Sequence, residues 1–181
     1  NEILIAQDDS IKFEPEDEKR LHEFYNDKDY LIADKYVVAG KPNQSRVFFK
    51  KAVDHFETNQ NWNAFIEAAA ELVHTYAGAE NFQEGIDYAL NVLEKINQTA
   101  PEKRLNCSII YHSLGIVYDI SSQIQPALNA FETELILLRE KYVIDTTYRF
   151  GTTYNSLAIV HANFGDLDKA LSYFLKAKKK P

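Results

Sequence analysis

The chain has 181 residues, of which 45% are hydrophobic and 26% are charged. This composition is typical of a folded globular protein and excludes disorder over most of the chain. The formal net charge of −7 and the pI near 5.2 oppose attraction to phosphate backbones and anionic lipid. Neither nucleic acid nor a membrane is therefore expected as a partner.

The number of cysteines and the N-terminal sequence indicate the cellular compartment of the protein. Cys107 is the only cysteine, so the chain can form neither an internal disulfide nor a zinc site with several cysteines. Residues 1–9 lack the basic start and the apolar length of a secretory signal, and no later stretch is apolar for long enough to predict a transmembrane helix. We expect a cytoplasmic protein. Because the sequence starts at Asn1 and contains no methionine, we also expect a fragment or a trimmed N-terminus.

Apolar residues recur at spacings of three and four through nearly the whole chain, which predicts helices throughout. An acidic N-terminal extension (residues 1–18) precedes a repeat domain that covers residues 19–181. Clusters of turn-forming residues divide this domain into helices of roughly 14 to 20 residues. The predicted repeats span about residues 19–60, 61–101, 102–144 and 145–181.

Internal repetition is the strongest feature of the sequence. The last segment, residues 154–177, matches three earlier segments of the chain, and agreement weakens toward the N-terminus. Its recurring positions are Tyr154, Leu157, Ala158, His161, Gly165, Ala170, Phe174 and Ala177. The equivalents of His161 are Tyr36, Tyr76 and Tyr118, which places successive markers 40, 42 and 43 residues apart.

This order of residues resembles the tetratricopeptide repeat (TPR) family over residues 20–180. The family's unit is about 34 residues, so the longer period is similar to that of its long-repeat members, such as kinesin light chains and bacterial peptide-sensing regulators. The resemblance implies an all-α fold, a right-handed superhelical stack of antiparallel helix pairs. Small residues would let the helices approach closely, and aromatic residues would fill the gaps between pairs. A HEAT or armadillo stack, with a period of about 40 to 47 residues, is the alternative.

Catalytic and metal-binding patterns are absent from the sequence. The histidines lack the spacing of a metal-binding helix, and the few glycines form no phosphate-binding loop. Cys107 has no base near it in the sequence and is expected to fill space in the core. His161 occupies an aromatic core position of the repeat. We therefore expect neither an enzyme nor a bound cofactor or metal.

The resemblance also implies a ligand-binding face along the first helix of each pair. Carried over position by position, the candidate groove residues are Tyr30, Asp34, Glu67, His74, Ile109, His112, Ile116, Asp119, Asn155 and Ile159. The carried-over positions include carboxylates but no lysine or arginine, so the chaperone-carboxylate binding of some family members is not expected. Isoleucines beside carboxylates predict a protein or peptide partner with apolar anchors and cationic groups. Alternatively, this face only packs against neighbouring helices or solvent.

The leading functional hypothesis is a protein- or peptide-interaction scaffold. By analogy with long-repeat members of the family, it would be the sensory or docking segment of a larger bacterial regulator. One alternative is a self-assembling repeat domain that forms homo-oligomers through its end helices. Another is a HEAT-like adaptor.

Overall fold

The computed structural model describes residues 27–142 and 148–178. Within these ranges there is no β-strand, and the eight α-helices are α1 (Lys28–Val38), α2 (Pro42–Thr58), α3 (Trp62–Gly78), α4 (Phe82–Thr99), α5 (Ser108–Ile120), α6 (Ile124–Lys141), α7 (Tyr148–Asn163) and α8 (Leu167–Lys178). A 3₁₀ segment, Pro101–Cys107, joins α4 to α5. The all-α prediction is confirmed. The predicted N-terminal extension, residues 1–18, lies outside the described residues.

The helices pack as four consecutive antiparallel pairs: α1 with α2, α3 with α4, α5 with α6, and α7 with α8. Each second helix also packs against the first helix of the next pair, and α3 packs directly on α5. Contacts thus join each pair to its neighbour in sequence, which is the arrangement of a helical-repeat solenoid. The predicted stack of helix pairs is confirmed. Over residues 27–142 and 148–178, no helix is both long and apolar enough to span a bilayer.

The same turn ends the first helix of every pair. The residues at the predicted turn-glycine position all have positive φ: Gly40 (67°), Glu80 (58°), Ser122 (60°) and Gly165 (88°). In each turn the next residue donates its N–H to the carbonyl of the marker aromatic or histidine five positions earlier, at 2.7–2.9 Å. This is the hydrogen bond of a Schellman helix end. The repeat register read from the sequence therefore coincides with a repeated backbone conformation.

Small residues bring the paired helices into close contact. Ala33 and Ala158, which occupy the small position of the repeat, are fully buried, and so is Val73 at the equivalent position of the second repeat. At the fourth such position, Gly115 faces the ring of Phe131 so closely that an added Cβ would lie 2.6 Å from a ring carbon. The absence of a side chain at residue 115 therefore sets how closely α5 approaches α6.

The outer face of the last helix is uncovered. Ala170 is the only residue of α8 that is buried, whereas Leu167, Leu171 and Leu175 are each more than half exposed. In α6 the equivalent side chains, Ile124 and Leu128, pack against the core shared with α7. Because α8 has no such neighbour among the described residues, an apolar stripe remains open to solvent at this end of the stack.

Candidate functional site

The ten predicted groove residues differ widely in exposure. Glu67, Asn155 and Ile159 are exposed, and Tyr30 is buried with its ring edge-on to Phe49. The other six are half-buried: Asp34, His74, Ile109, His112, Ile116 and Asp119. All ten lie on the first helices of their pairs, α1, α3, α5 and α7. That these ten residues form a ligand-binding groove remains a prediction.

The structure brings the α3 and α5 members of the set closest together. Helix α3 packs directly on α5, whereas α7 touches α5 only slightly, and the main contacts of α1 are with α2. Ile109 packs against the core of the first three pairs, and Ile116 packs against the core formed by α6 and α7. Ile159 is the most accessible of the three isoleucines, with 40% of its surface exposed. It is therefore the best placed to contact a ligand.

His112 faces the second helix of its own pair. Its Nδ1 lies 2.8 Å from Oε2 of Glu134, a carboxylate that is only 1% exposed. Glu134 occupies a position that holds alanine in the last repeat, so a charged group sits where two helices normally meet through a small side chain. A buried carboxylate needs such a partner, because leaving it unpaired is costly. His112 therefore stabilises the α5–α6 contact directly.

Asp119 and His74 carry polar atoms that are buried and lack a hydrogen-bond partner within the described residues. These atoms are Oδ1 of Asp119 and Nε2 of His74. Burial raises the pKa of Asp119, and a side-chain hydrogen bond with Asn163 opposes that shift. The other ring nitrogen of His74 lies 3.6 Å from Glu71. An incoming donor or cation could satisfy Asp119, which is the chemistry expected of a cation-binding position.

A polar recess of about 210 Å³ lies at the end of this face where the first helices begin. Its lining comes from α3, the 3₁₀ segment, α5, α6 and α7, and comprises Asn63, Ile66, Glu67, Asn106, Ile109, Lys141 and Arg149. Asn106 donates to Oδ1 of Asn63 at 2.9 Å and accepts from Nζ of Lys141 at 2.7 Å. The recess therefore joins two predicted groove residues, Glu67 and Ile109, to two cations.

Lys141 and Arg149 were missed by position counting along the repeat. Arg149 lies in the first turn of α7, before the first groove position of its repeat, and Lys141 is the last residue of α6. Lys141 belongs to the third predicted repeat and Arg149 to the fourth, so both lie near the junction of these repeats. The long repeat period indicated that each repeat contains additional residues. It does not indicate where in the structure those residues lie. The region is thus less purely acidic than the sequence indicated.

Across residues 27–142 and 148–178, no three histidine, cysteine or acidic side chains cluster so as to hold an ion. His161 is nearly buried and stacks on Tyr173, with ring centroids 5.5 Å apart. It thus fills the aromatic position of its repeat.

Solved structures with the same arrangement of helices show the fold to be TPR-like. BtubC (BKLC) from P. vanneervenii is 19% identical with a TM-score of 0.66, the alignment covering 83% of this chain and 61% of that one. A Podosopora anserina protein with nearly identical TPR-like repeats is 15% identical with a TM-score of 0.61, over 83% and 71% of the two chains. The Rap conjugation gene regulator of plasmid pLS20, in complex with the Phr* peptide, is 19% identical with a TM-score of 0.68, over 93% and 43%.

At these sequence identities the structural similarity defines the fold alone, a TPR-like helical-repeat stack. The alternative HEAT arrangement is not needed to explain the long repeat period. The chain spans about three fifths of the length of BtubC and less than half of the Rap regulator. No protein-family model matches the sequence, and no curated protein matches it.

Proposed function

We propose that this chain is a protein- or peptide-binding scaffold, and that it forms the docking or sensory segment of a larger regulator in the cytoplasm. The observation that carries the proposal is the accessible face of α5 and α7, where Ile159 is exposed and Ile109 and Ile116 are half-buried. Carboxylates flank them at Glu67 and Asp119. Such a surface suits a helical or extended segment with apolar anchors.

Electrostatics divides the proposed groove into two regions. Asp119, near the C-terminal end of α5, offers a buried and unsatisfied carboxylate oxygen to a cationic group. Lys141 and Arg149, in the recess where the first helices begin, would suit an acidic group or a carbonyl. The proposed ligand is therefore a peptide whose apolar side chains lie between a cationic group and an acidic one. Its two charges would set its direction along the groove.

The similar Rap regulator supports the proposal by analogy, since that structure contains a bound peptide and the protein is described as a gene regulator. The analogy rests on fold alone, so the test must come from this chain's own residues.

Selection from a random peptide display library, followed by fluorescence anisotropy with the enriched peptides, tests the proposal. Ile159→Arg should weaken binding about tenfold or more, because it places a charge against an apolar anchor. Leu90→Arg is the matched control: Leu90 is exposed to a similar degree (48%) but lies on α4, a second helix. The control should bind like the original chain. If the library yields no binder, or if both variants bind equally well, the groove is not the binding site.

A second candidate function is self-assembly, which the uncovered stripe of α8 favours. Leu167, Leu171 and Leu175 would be covered by a second copy, and the nearby Lys169 and Lys176 would be attracted to a chain of net negative charge. Light scattering against protein concentration should then show association that Leu171→Asp abolishes and Leu90→Asp does not. A monomer over the whole concentration range excludes this function.

A further inference from the structure

A second cavity lies apart from the proposed groove and shares no residue with it. The Pro101–Cys107 segment packs against both α4 and α6, the second helices of adjacent pairs, and a cleft lies beside it. The cleft has a volume of about 460 Å³. That volume falls within the range of about 300 to 1,000 Å³ that is usual for small-molecule sites.

The interior of the cleft is mainly apolar. Side chains from four elements form its walls: Leu93, Ile96, Cys107, Tyr111, Ile136 and Leu137. Ile96 and Cys107 are buried, with 1% and 3% of their surfaces exposed, whereas Ile136 is 53% exposed and lies at the opening. An aliphatic chain of several carbons would cover this surface and remove it from water, at a gain of roughly 25 cal/mol for each Å² buried.

One cation faces the cleft. Burial raises the pKa of both Cys107 and Tyr111, and the guanidinium of Arg104, which lines the cleft, partly opposes that rise. Arg104 contacts Glu140 through its Nη2 atom. An exposed pair of this kind is weak, so the guanidinium remains available to an anion.

Other polar groups at the rim are compatible with an anionic ligand at Arg104. Asn97 and Thr133 can donate hydrogen bonds. Glu94 is the one carboxylate in the lining, and it is exposed and accepts a hydrogen bond from Gln98. Its charge is therefore largely screened by solvent.

We propose that this cleft binds a small amphipathic anion, an aliphatic carboxylate whose chain lies between Leu93, Ile136 and Leu137 and whose carboxylate pairs with Arg104. The carboxylate can form a bidentate pair with the guanidinium, which Lys could not provide in the same geometry. The chain fills space that the solenoid leaves open between α4 and α6. The ligand is small and binds on the side of the second helices, so this site is separate from the peptide groove.

Cys107 provides a reporter inside the cleft, because it is the only thiol in the chain. Its alkylation by N-ethylmaleimide is measured with increasing sodium octanoate as the probe, at alkaline pH because burial raises the pKa of the thiol to about 11. Octanoate should slow the reaction saturably, by about fivefold or more, because the bound chain covers the thiol. Octylamine, which has the same chain and the opposite charge, should protect much less. If octanoate leaves the rate unchanged, or if octylamine protects equally well, the proposal is wrong.

Three variants test whether octanoate protects Cys107 by binding in the cleft. Two remove a positive charge, and the third fills the opening of the cleft. Arg104→Gln should raise the half-protecting octanoate concentration about tenfold. Lys103→Gln removes the same charge from the same segment but lies outside the cleft lining, so its half-protecting concentration should stay unchanged. Ile136→Trp should abolish protection by filling the opening. Equal shifts in the two charge variants, or full protection in the filled variant, would contradict a site in the cleft.

Discussion

Gly115→Ala tests the closest helix contact in the stack. The new Cβ would lie 2.6 to 2.8 Å from three ring carbons of Phe131, distances that packed carbon atoms do not adopt. Phe131 is 1% exposed and also meets the ring of His112 edge-on, at 5.6 Å between centroids, so it has little room to move. Helices α5 and α6 must therefore separate or strain.

Two opposing effects determine the size of the change. Alanine in place of glycine within a helix stabilises by about 1 kcal/mol, whereas overpacking a filled core costs about 1 to 3 kcal/mol. The net loss for Gly115→Ala should then be up to about 2 kcal/mol. Gly151→Ala is the control, because its Cβ would meet only a carbonyl oxygen of Ala177 at 3.6 Å, an ordinary contact. The control should gain up to about 1 kcal/mol.

Urea unfolding followed by circular dichroism gives both free energies, with constant m-values required for the comparison. The two variants should differ by about 1 to 3 kcal/mol, and Phe131→Leu should cost less in the Gly115→Ala background than alone. If Gly115→Ala gains as much stability as Gly151→Ala, the close approach of α5 to α6 and the repeat register that predicts it are both refuted.

Three further predictions concern other positions of the repeat. Glu80→Gly and Ser122→Gly should each raise the free energy of unfolding by about 0.5 to 1 kcal/mol, because both native residues adopt positive φ; a fall in the urea midpoint would contradict this. His112→Ala should cost about 3 kcal/mol in urea unfolding, since Glu134 would stay buried without its partner; a loss below about 1 kcal/mol would mean that solvent reaches the carboxylate. The pKa of Asp119 is raised by burial, so its contribution to stability is present at acidic pH and lost as pH rises through the folded-state pKa. Asp119→Asn should therefore raise the urea midpoint at neutral pH but not at acidic pH, and equal effects at both would refute a buried carboxylate.

The helical periodicity and the repeat register could be predicted because both depend on local properties of the chain. The turn position is the clearest case. Glu80 and Ser122 were aligned with Gly40 and Gly165 on spacing alone, and all four have the same left-handed backbone conformation. A Schellman helix end involves only neighbouring residues, so sequence spacing is sufficient to locate it.

The candidate site could be predicted only in part, because exposure depends on which helices meet. Tyr30 and Asn155 occupy equivalent positions in different repeats, yet Tyr30 is buried and Asn155 is exposed. Lys141 and Arg149 lie outside the counted groove positions but line the same recess as Glu67. The two cations come from adjacent pairs and extend the site beyond the acidic face that the sequence indicated.

The sequence by itself determined the helical class, the four-repeat register and the turn that ends each first helix, since each depends on interactions between residues close along the chain. Only the tertiary structure decided where the lengthened repeats place their additional residues. The Pro101–Cys107 segment packs against both α4 and α6 beside a cleft, and His112 faces a buried Glu134. These outcomes depend on which side chains of neighbouring helices pack against one another. Sequence spacing alone does not specify that packing.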